Sequence, residues 1–565
     1  MVQFYQAIKD SGLLSDEDYK AVLALQSEIR NSTFYNAIQR SELMDSEQLV
    51  SFACEFFGMS RIGDAFSAQL DYPGTMAAMG SIQNAISAKM FSLIVGGKRY
   101  FIVNDPENES LRTKAVAALG VEPVWALVTD VEYEVILQYQ LTPRAISDQA
   151  NSIKTSVTSA ADSDELGAMA SYTDKLLSML ITAAMDRRAS DLHLMPLDAE
   201  RAKVMLRVDG KLYHYTDIKA DILMNLRNKL KTMSGVGGET PDAPVEGQIA
   251  FQYKKNRIDI RINILKTVIG YDFNMRFIDS SLRGLEELGL SESNYNQYVD
   301  LLHMTKGMVI LCGPTGSGKT TLLYAGFKKL LSENKAIFTI EDPVEIILPG
   351  TTQVNVKKER GMSYGERFPS SLRHDPDIIA IGETRTLEVA EQAVQAANTG
   401  HLVFTTLHTN DAVGAISRLT NLGLAPYAIG DVLAAVVAQR LVRRVCPNCK
   451  EEYDLPEDHP WRKRFALGDG RIKLARGCGC EYCAGSGYRG RIGVNEFMIC
   501  TPELRDAIQK NKTRKELEDV LESQGYKTYL EDAKEKALEG LTTFDEVDEL
   551  YRDILSTHLN SESSS

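Results

Sequence analysis

"GMVILCGPTGSGKTTLLYAGFKKLL" (307–331) decides how the rest of the chain is read. Its apolar start, "MVILC", is short and bounded by glycine, which suits a buried strand. The next stretch, "GPTGSGKT" (313–320), fits G-x-x-x-x-G-K-[ST], and the residues after it have helical spacing. Glycines in such a loop let backbone N–H groups face phosphate oxygens, and the helix start adds a dipole that favours anions. Lys319 is placed to reach the β and γ phosphates, and Thr320 to ligate Mg²⁺. The candidate nucleotide-binding set is Gly313, Pro314, Thr315, Gly316, Ser317, Gly318, Lys319, Thr320 and Thr321, with ATP and Mg²⁺ as the ligands expected.

Downstream, "AIFTIED" (336–342), "DIIAIGE" (377–383) and "HLVFTTLH" (401–408) are apolar strands that end in polar residues, with helical stretches between them. Strands alternating with helices imply a parallel sheet with its site at the carboxyl ends of the strands. Two acidic clusters fall there, "FTIEDPVE" (338–345) and "DPDIIAIGE" (375–383). A phosphate site needs carboxylates for the metal and for orienting water, so Glu345 and Glu383 are candidates, whereas Glu341 and Asp375 read as surface acids. His401 and His408 flank one apolar strand and are expected at the same sheet edge, near phosphate.

A chain of 565 residues is too long for one core and implies three or four domains. Its formal net charge of -14 argues against a dedicated nucleic-acid binder, which needs a basic surface, but leaves room for a local basic patch. The most apolar run, "AIGDVLAAVVAQRLV" (428–442), is broken by Asp431, Gln439 and Arg440, so no membrane span is expected. The start, "MVQFYQAIKDSG", lacks a signal-peptide layout. The reading is a cytoplasmic protein whose membrane role comes through a partner.

The N-terminal region repeats. "FYQAIKDSGLLSDED" (4–18) and "FYNAIQRSELMDSEQ" (34–48) align at a period of 30, each reading as a short amphipathic helix, a turn and a second helix with an Asp/Ser cap. Residues 65–140 suggest a small α/β module. The Ser/Ala/Asp-rich stretch 145–168 reads as a flexible linker. "ASDLHLMP" (189–196), "VMLRVDGKLYHY" (204–215) and "NRIDIRINIL" (256–265) alternate apolar and polar residues and read as antiparallel strands. The boundaries expected are 1–144 for the N-terminal domain, 145–168 for the linker, 169–287 for a second N-terminal domain and 288–565 for the ATPase domain. The last contains a cysteine subdomain over 445–495 and C-terminal helices over 501–558.

Clustered cysteines in a reducing compartment favour metal over disulfide. Cys446-x-x-Cys449 and Cys480-x-x-Cys483 form two knuckles with 30 residues between them, which suits a tetrahedral Zn²⁺ site with a small insertion between its halves. Cys478 is an extra candidate ligand, and His459 could substitute. Four thiolates leave no open coordination position, so the zinc would be structural.

The order of these motifs resembles the secretion ATPases of type II secretion and type IV pilus assembly, the GspE/PilB family. The resemblance is strong over about 170–555 and loose over 1–140. "GPTGSGKTTLLY" resembles the family's Walker A, "IEDPVE" its Asp box, "RHDPDIIAIGETR" its Walker B and "TGHLVFTTLHTNDA" its His box. It implies Glu345 as the residue that activates water, Glu383 as an assistant to Mg²⁺ and water, and roles for His401 and His408. Arg261 in "DIRIN" and Arg276 in "NMRFID" match arginines that reach toward nucleotide, although "GYDF" (270–273) stands where the family often has a Gly-Glu pair. The cysteine knuckles point to the assembly branch, since the retraction branch generally lacks them. The Arg-Leu-Gly signature with which some members bind a cyclic dinucleotide is absent from both N-terminal repeats, so docking to an inner-membrane complex is the role implied there.

The fold class implied is multi-domain α/β, with a RecA-like P-loop ATPase core preceded by a PAS-like α+β domain and a mostly helical N-terminal domain, plus a small zinc-binding insertion. The function implied is a homohexameric ATPase at the cytoplasmic face of the inner membrane, driving type IV pilus assembly through a platform protein. The alternative is the ATPase of a type II secretion system, or less readily a retraction or conjugation-type motor.

Overall fold

The computed structural model describes all residues except 1–2, 29–31, 42, 64–67, 153–162, 237–242, 280, 357–363 and 563–565. The chain divides into two compact units, Met1–Ile278 and Asp279–Ser565. Among the described residues no helix is long and apolar enough to cross a membrane.

The first unit opens with the repeat. Helices Phe4–Ser11 and Phe34–Ser41 are each followed by a longer one, Asp16–Glu28 and Ser46–Phe57. Ser15 and Asp45 accept hydrogen bonds from backbone N–H groups at the starts of the longer helices. The matched positions Phe4, Ile8, Phe34 and Ile38 are all buried in one cluster. A mixed sheet of short strands follows, β1 (Ser60–Arg61), β2 (Gln69–Leu70), β3 (Met90–Val95), β4 (Lys98–Val103) and β5 (Trp125–Leu127), in the order β1-β5-β4-β3-β2.

The stretch expected as a linker is helical where it is described. Helix Thr142–Ser152 covers its start, with Ile146 and Ala150 buried, and helix Ser163–Asp186 covers its end. Residues 153–162 lie outside the described residues. Two buried alanine- and isoleucine-type positions in a polar stretch are too sparse a pattern to betray a packed helix.

A six-stranded antiparallel sheet completes this unit: β6 (Ala189–Pro196), β7 (Arg201–Val208), β8 (Lys211–Lys219), β9 (Val245–Tyr253), β10 (Asn256–Lys266) and β11 (Tyr271–Phe277), in the order β8-β7-β6-β11-β10-β9. The segment 204–215 is a hairpin rather than a single strand. Asp209 and Gly210 both have positive φ, 47° and 90°, the geometry of a tight two-residue turn. The Asp-Gly pair was the signal for it.

The second unit is built on a seven-stranded sheet: β12 (Gly307–Cys312), β13 (Ile337–Glu341), β14 (Thr352–Asn355), β15 (Ile378–Ile381), β16 (Leu402–Leu407) and β17 (Leu433–Val445), joined at the edge by β20 (Tyr488–Ile499). A small antiparallel pair, β18 (Lys450–Asp454) and β19 (Lys473–Gly477), lies between β17 and β20 in sequence. The order is β14-β13-β15-β16-β12-β17-β20, and every pairing is parallel except β17 with β20. Apolar residues cover both faces, which is why β12, β15 and β16 read as unbroken apolar runs. One face packs on helices Glu292–Leu302 and Lys319–Leu331, the other on Leu387–Asn398, Ala412–Leu422 and Pro502–Gln509.

Candidate active site and metal centre

β12 lies between β16 and β17, so the loop leaving its end sits at the centre of the sheet's carboxyl edge. Gly313, Gly316 and Gly318 all adopt positive φ, at 148°, 78° and 90°. A side chain at any of these positions would be strained, and one at Gly313 would also collide with the Gln439 carbonyl oxygen 2.5 Å away. Helix Lys319–Leu331 starts immediately after the loop. Lys319 is buried, and its Nζ donates to the carbonyls of Gly313 (2.7 Å) and Pro314 (3.0 Å). Burial pulls its ammonium below the ordinary lysine range. Thr320 and Thr321 are half-buried in the first turn.

Glu383 follows β15 and faces this loop. Its Oε2 lies 2.7 Å from Arg385 Nη2, and its Oε1 lies 3.4 Å from His408 Nε2. Burial pushes the Glu383 carboxyl up, but the Arg385 hydrogen bond and the charges of His408, Arg385 and Lys319 outweigh it and hold the group below the usual glutamate range. Threonines fasten this turn to β16: Thr406 Oγ1 donates to the Gly382 carbonyl at 2.6 Å, and the Thr384 and Thr405 hydroxyls are 2.7 Å apart.

Glu345 is exposed in the segment after β13, which Asn355 Oδ1 holds by accepting from Val344 N at 2.7 Å. Glu341 is not a surface acid. It is 8% exposed and accepts from Tyr324 Oη and Thr339 Oγ1, both at 2.6 Å. Gln353 Nε2 in turn donates to Tyr324 Oη at 2.9 Å. Its placement as the last residue of a strand, which suggested the surface, is where a helix side chain reaches it instead.

The two histidines are not at the same edge. His408 follows β16 and meets Glu383, whereas His401 precedes the strand at the opposite end of the sheet. There its Nδ1 lies 3.1 Å from the Ala396 carbonyl, and its own carbonyl accepts from Gly307 N. Residues on either side of one strand necessarily occupy opposite edges, separated by about 23 Å at 3.3 Å per residue. Asp375 is exposed, as expected.

Arg261 and Arg276 belong to the first unit. They are direct register partners on β10 and β11, so both side chains leave the same face of the sheet. Buried Asp191 on β6 accepts from Arg276 Nε at 2.8 Å and lies 3.8 Å from Arg207 Nε.

The knuckle cysteines converge. The Sγ atoms of Cys446, Cys449, Cys480 and Cys483 all lie within 4.8 Å of one another, and three pairs are 3.7 Å apart. A tetrahedral site with Zn–S bonds of about 2.3 Å requires sulfur separations of about 3.8 Å, so the four thiols fit zinc. Backbone N–H groups of Cys480 and Gly487 donate to Cys483 Sγ at 3.1 and 3.3 Å. Despite burial they pull that thiol down to about 7. Gly477 and Gly487 stack backbone on backbone, leaving no room for a Cβ on either. Cys478 is exposed and its thiol donates to the Cys449 carbonyl, while His459 caps a helix by accepting from Trp461 N, so neither joins the cluster. The 30 residues between the knuckles form the β18–β19 pair and helix Pro460–Arg464, packed on the C-terminal helices through Leu455, Phe465, Leu474 and Phe544.

Residues 168–549 match the family described as "Type II/IV secretion system protein". The chain belongs to this family. A type IV pilus assembly ATPase PilB from Thermus thermophilus is 36% identical over 382 residues, spanning 67% of this chain and 43% of that relative. A type II secretion system protein E from Dickeya dadantii is 33% identical over 456 residues, spanning 79% of this chain and 91% of that relative. The X-ray structure of the Legionella pneumophila ATPase DotB shares the fold, with a TM-score of 0.52 at 20% identity over 67% of this chain and 96% of that one.

This type II/IV secretion family member is therefore an ATP hydrolase with a RecA-like core, and its family implies ATP and Mg²⁺ as ligands and a membrane-associated assembly as its setting. Sequence reading missed Tyr324, Thr339 and Gln353 as the support of the Asp-box strand, and Asp191 as the anchor of the arginines. "SDLH" next to "RVDG" carries Asp191, but only the register of β6 against β7 and β11 brings it to Arg207 and Arg276.

Proposed function

We propose that this protein is the homohexameric motor of type IV pilus assembly, working at the cytoplasmic face of the inner membrane through a platform protein. ATP binding and hydrolysis by its ATPase domain (288–565) supply the work, while residues 1–144 dock to the membrane complex. Lys319 takes the β and γ phosphates, and Thr320 would hold Mg²⁺, which when bound would supply positive charge against the phosphate oxygens. Glu345 activates the attacking water. Glu383 orients water and metal, with His408 beside it. Arg261 and Arg276 add positive charge to the transferring phosphoryl group. The placement of His401 supports a role in holding the strand start rather than in phosphate chemistry.

The observation that carries assembly over retraction is the four-cysteine cluster with zinc geometry. One observation favours type II protein export as the second reading: the match to a type II secretion protein E covers 91% of that relative, against 43% for the pilus ATPase. The test is Glu345→Gln in the native cell, with surface fibres counted by electron microscopy and exported proteins assayed in the medium. Loss of fibres supports pilus assembly. Excess fibres mean retraction. Unchanged fibres with lost export support the second reading.

A further inference from the structure

β17 runs parallel to β12 with Cys312 opposite Ala438, so Gln439 comes level with the loop as it leaves the strand. This one residue meets both ends of the loop. Its main-chain oxygen lies against Gly313, and its Nε2 is 3.1 Å from where a Cβ on Gly318 would stand. Ser317, in the middle of the loop, is 4% exposed and turns its hydroxyl down to the same floor, 2.6 Å from the Cβ position of Gly313. Asn495 is the antiparallel register partner of Gln439. The Cβ position of Gly493 lies 3.2 Å from both Asn495 Nδ2 and Gln439 Nε2.

Among the described residues, Ser317 Oγ, Gln439 Oε1 and both polar side-chain atoms of Asn495 are buried without a hydrogen-bond partner. The six residues of β17 before Gln439 are leucine, alanine and valine, and an apolar residue of the same shape there would avoid the cost of an unpaired buried amide. Three such groups converging under one loop indicate hydrogen bonds made in another conformation of that loop. Lys319 supplies the change. Its ammonium has three N–H donors and spends two on the Gly313 and Pro314 carbonyls, so reaching both the β and the γ phosphate requires it to release at least one of those carbonyls.

We propose that Gln439 is a positioning residue of the ATPase site: its side-chain amide, braced by Asn495, accepts the Ser317 hydroxyl as Lys319 releases a loop carbonyl for phosphate. The proposal rests on ATP hydrolysis alone and is independent of which machine the hydrolysis drives.

The test is a double-mutant cycle in the full chain, with Ser317→Ala, Gln439→Leu and the pair. Affinity for a fluorescent ADP analogue with Mg²⁺ and the KM for ATP are measured, along with the nucleotide-free thermal midpoint. Gln439→Leu is expected to weaken nucleotide binding about tenfold and Ser317→Ala severalfold, with the pair no weaker than Gln439→Leu alone. The nucleotide-free midpoint is expected to hold or rise, because the leucine removes an unpaired amide. Additive losses, unchanged affinity in Gln439→Leu, or a lowered nucleotide-free midpoint would each overturn the proposal. Gln439→Met, with an unbranched side chain, is the second variant and is read by the same criteria; failure of both to fold also overturns it.

Discussion

Tyr324→Phe tests the claim that the Asp-box strand is held in place by the helix that follows the phosphate loop. The substitution deletes one oxygen. That oxygen donates to the buried Glu341 carboxylate at 2.6 Å and accepts from Gln353 Nε2 at 2.9 Å. A hydrogen bond to a charged group contributes about 1.5–3 kcal/mol, and Glu341 keeps Thr339 as a donor, so the expected loss is about 2 kcal/mol. For a unit as large as 279–565 the thermal midpoint falls by about 2 °C per kcal/mol, giving about 4 °C. Tyr324 Oη bonds to Glu341 and Gln353, neither of which belongs to the phosphate loop, so nucleotide affinity is expected to hold. Four residues beyond Glu341, however, stands Glu345, and a loosened strand end misplaces it. The signature is therefore a kcat lowered about tenfold or more at unchanged KM, measured by phosphate release. A variant with a normal midpoint and normal kcat would refute the bracing role. A raised KM with normal kcat would place Tyr324 in nucleotide binding instead.

Two other outcomes follow from buried groups. Glu496 on β20 accepts from Ala412 N at 2.6 Å and Tyr529 N at 3.3 Å, and burial raises its carboxyl from 4.5 to about 7. A raised acid stabilises the fold fully below its unfolded value and loses that contribution as pH climbs through about 7, here about 3 kcal/mol. Denaturant melts of Glu496→Gln are expected to show little of the decline between pH 5 and 8 that the parent shows; parallel declines would contradict this. For the metal centre, Cys446→Ser is expected to abolish bound zinc and lower the thermal midpoint, while Cys478→Ser retains one zinc per chain by elemental analysis, and zinc loss in the latter would make Cys478 a ligand.

What the sequence made legible was local. The Walker motif, its strand and its helix were fixed by residues that are neighbours in the chain, and so were the knuckles, since a C-x-x-C pair presents both sulfurs to one point. The Asp-Gly turn at 209–210 is equally local, but the alternation that continues across it conceals it. What stayed hidden depended on partners far apart in sequence. Glu341 resembles any acid at a strand end until Tyr324 arrives from the preceding helix. His401 and His408 look equivalent until the direction of β16 separates them. Asp191 and Gln439 gain their meaning only from strand register, which no single stretch encodes.

β17 is thirteen residues long, and it begins in the heart of the sheet and ends at Val445, one residue before the first knuckle cysteine. From Gln439 to Cys446 the strand spans about 23 Å with its ladder to β20 almost unbroken. It joins the phosphate loop, which Gln439 adjoins, to the cysteine cluster. The register shift in its ladder lies between Arg443 and Val445, and up to that point a tilt of the strand at the loop carries along it toward the cysteines. A probe on the cysteine subdomain would then serve as a pointer for the catalytic core, and a single residue inserted at 441–444 would turn every following side chain to the wrong face and disconnect the pointer from its pivot.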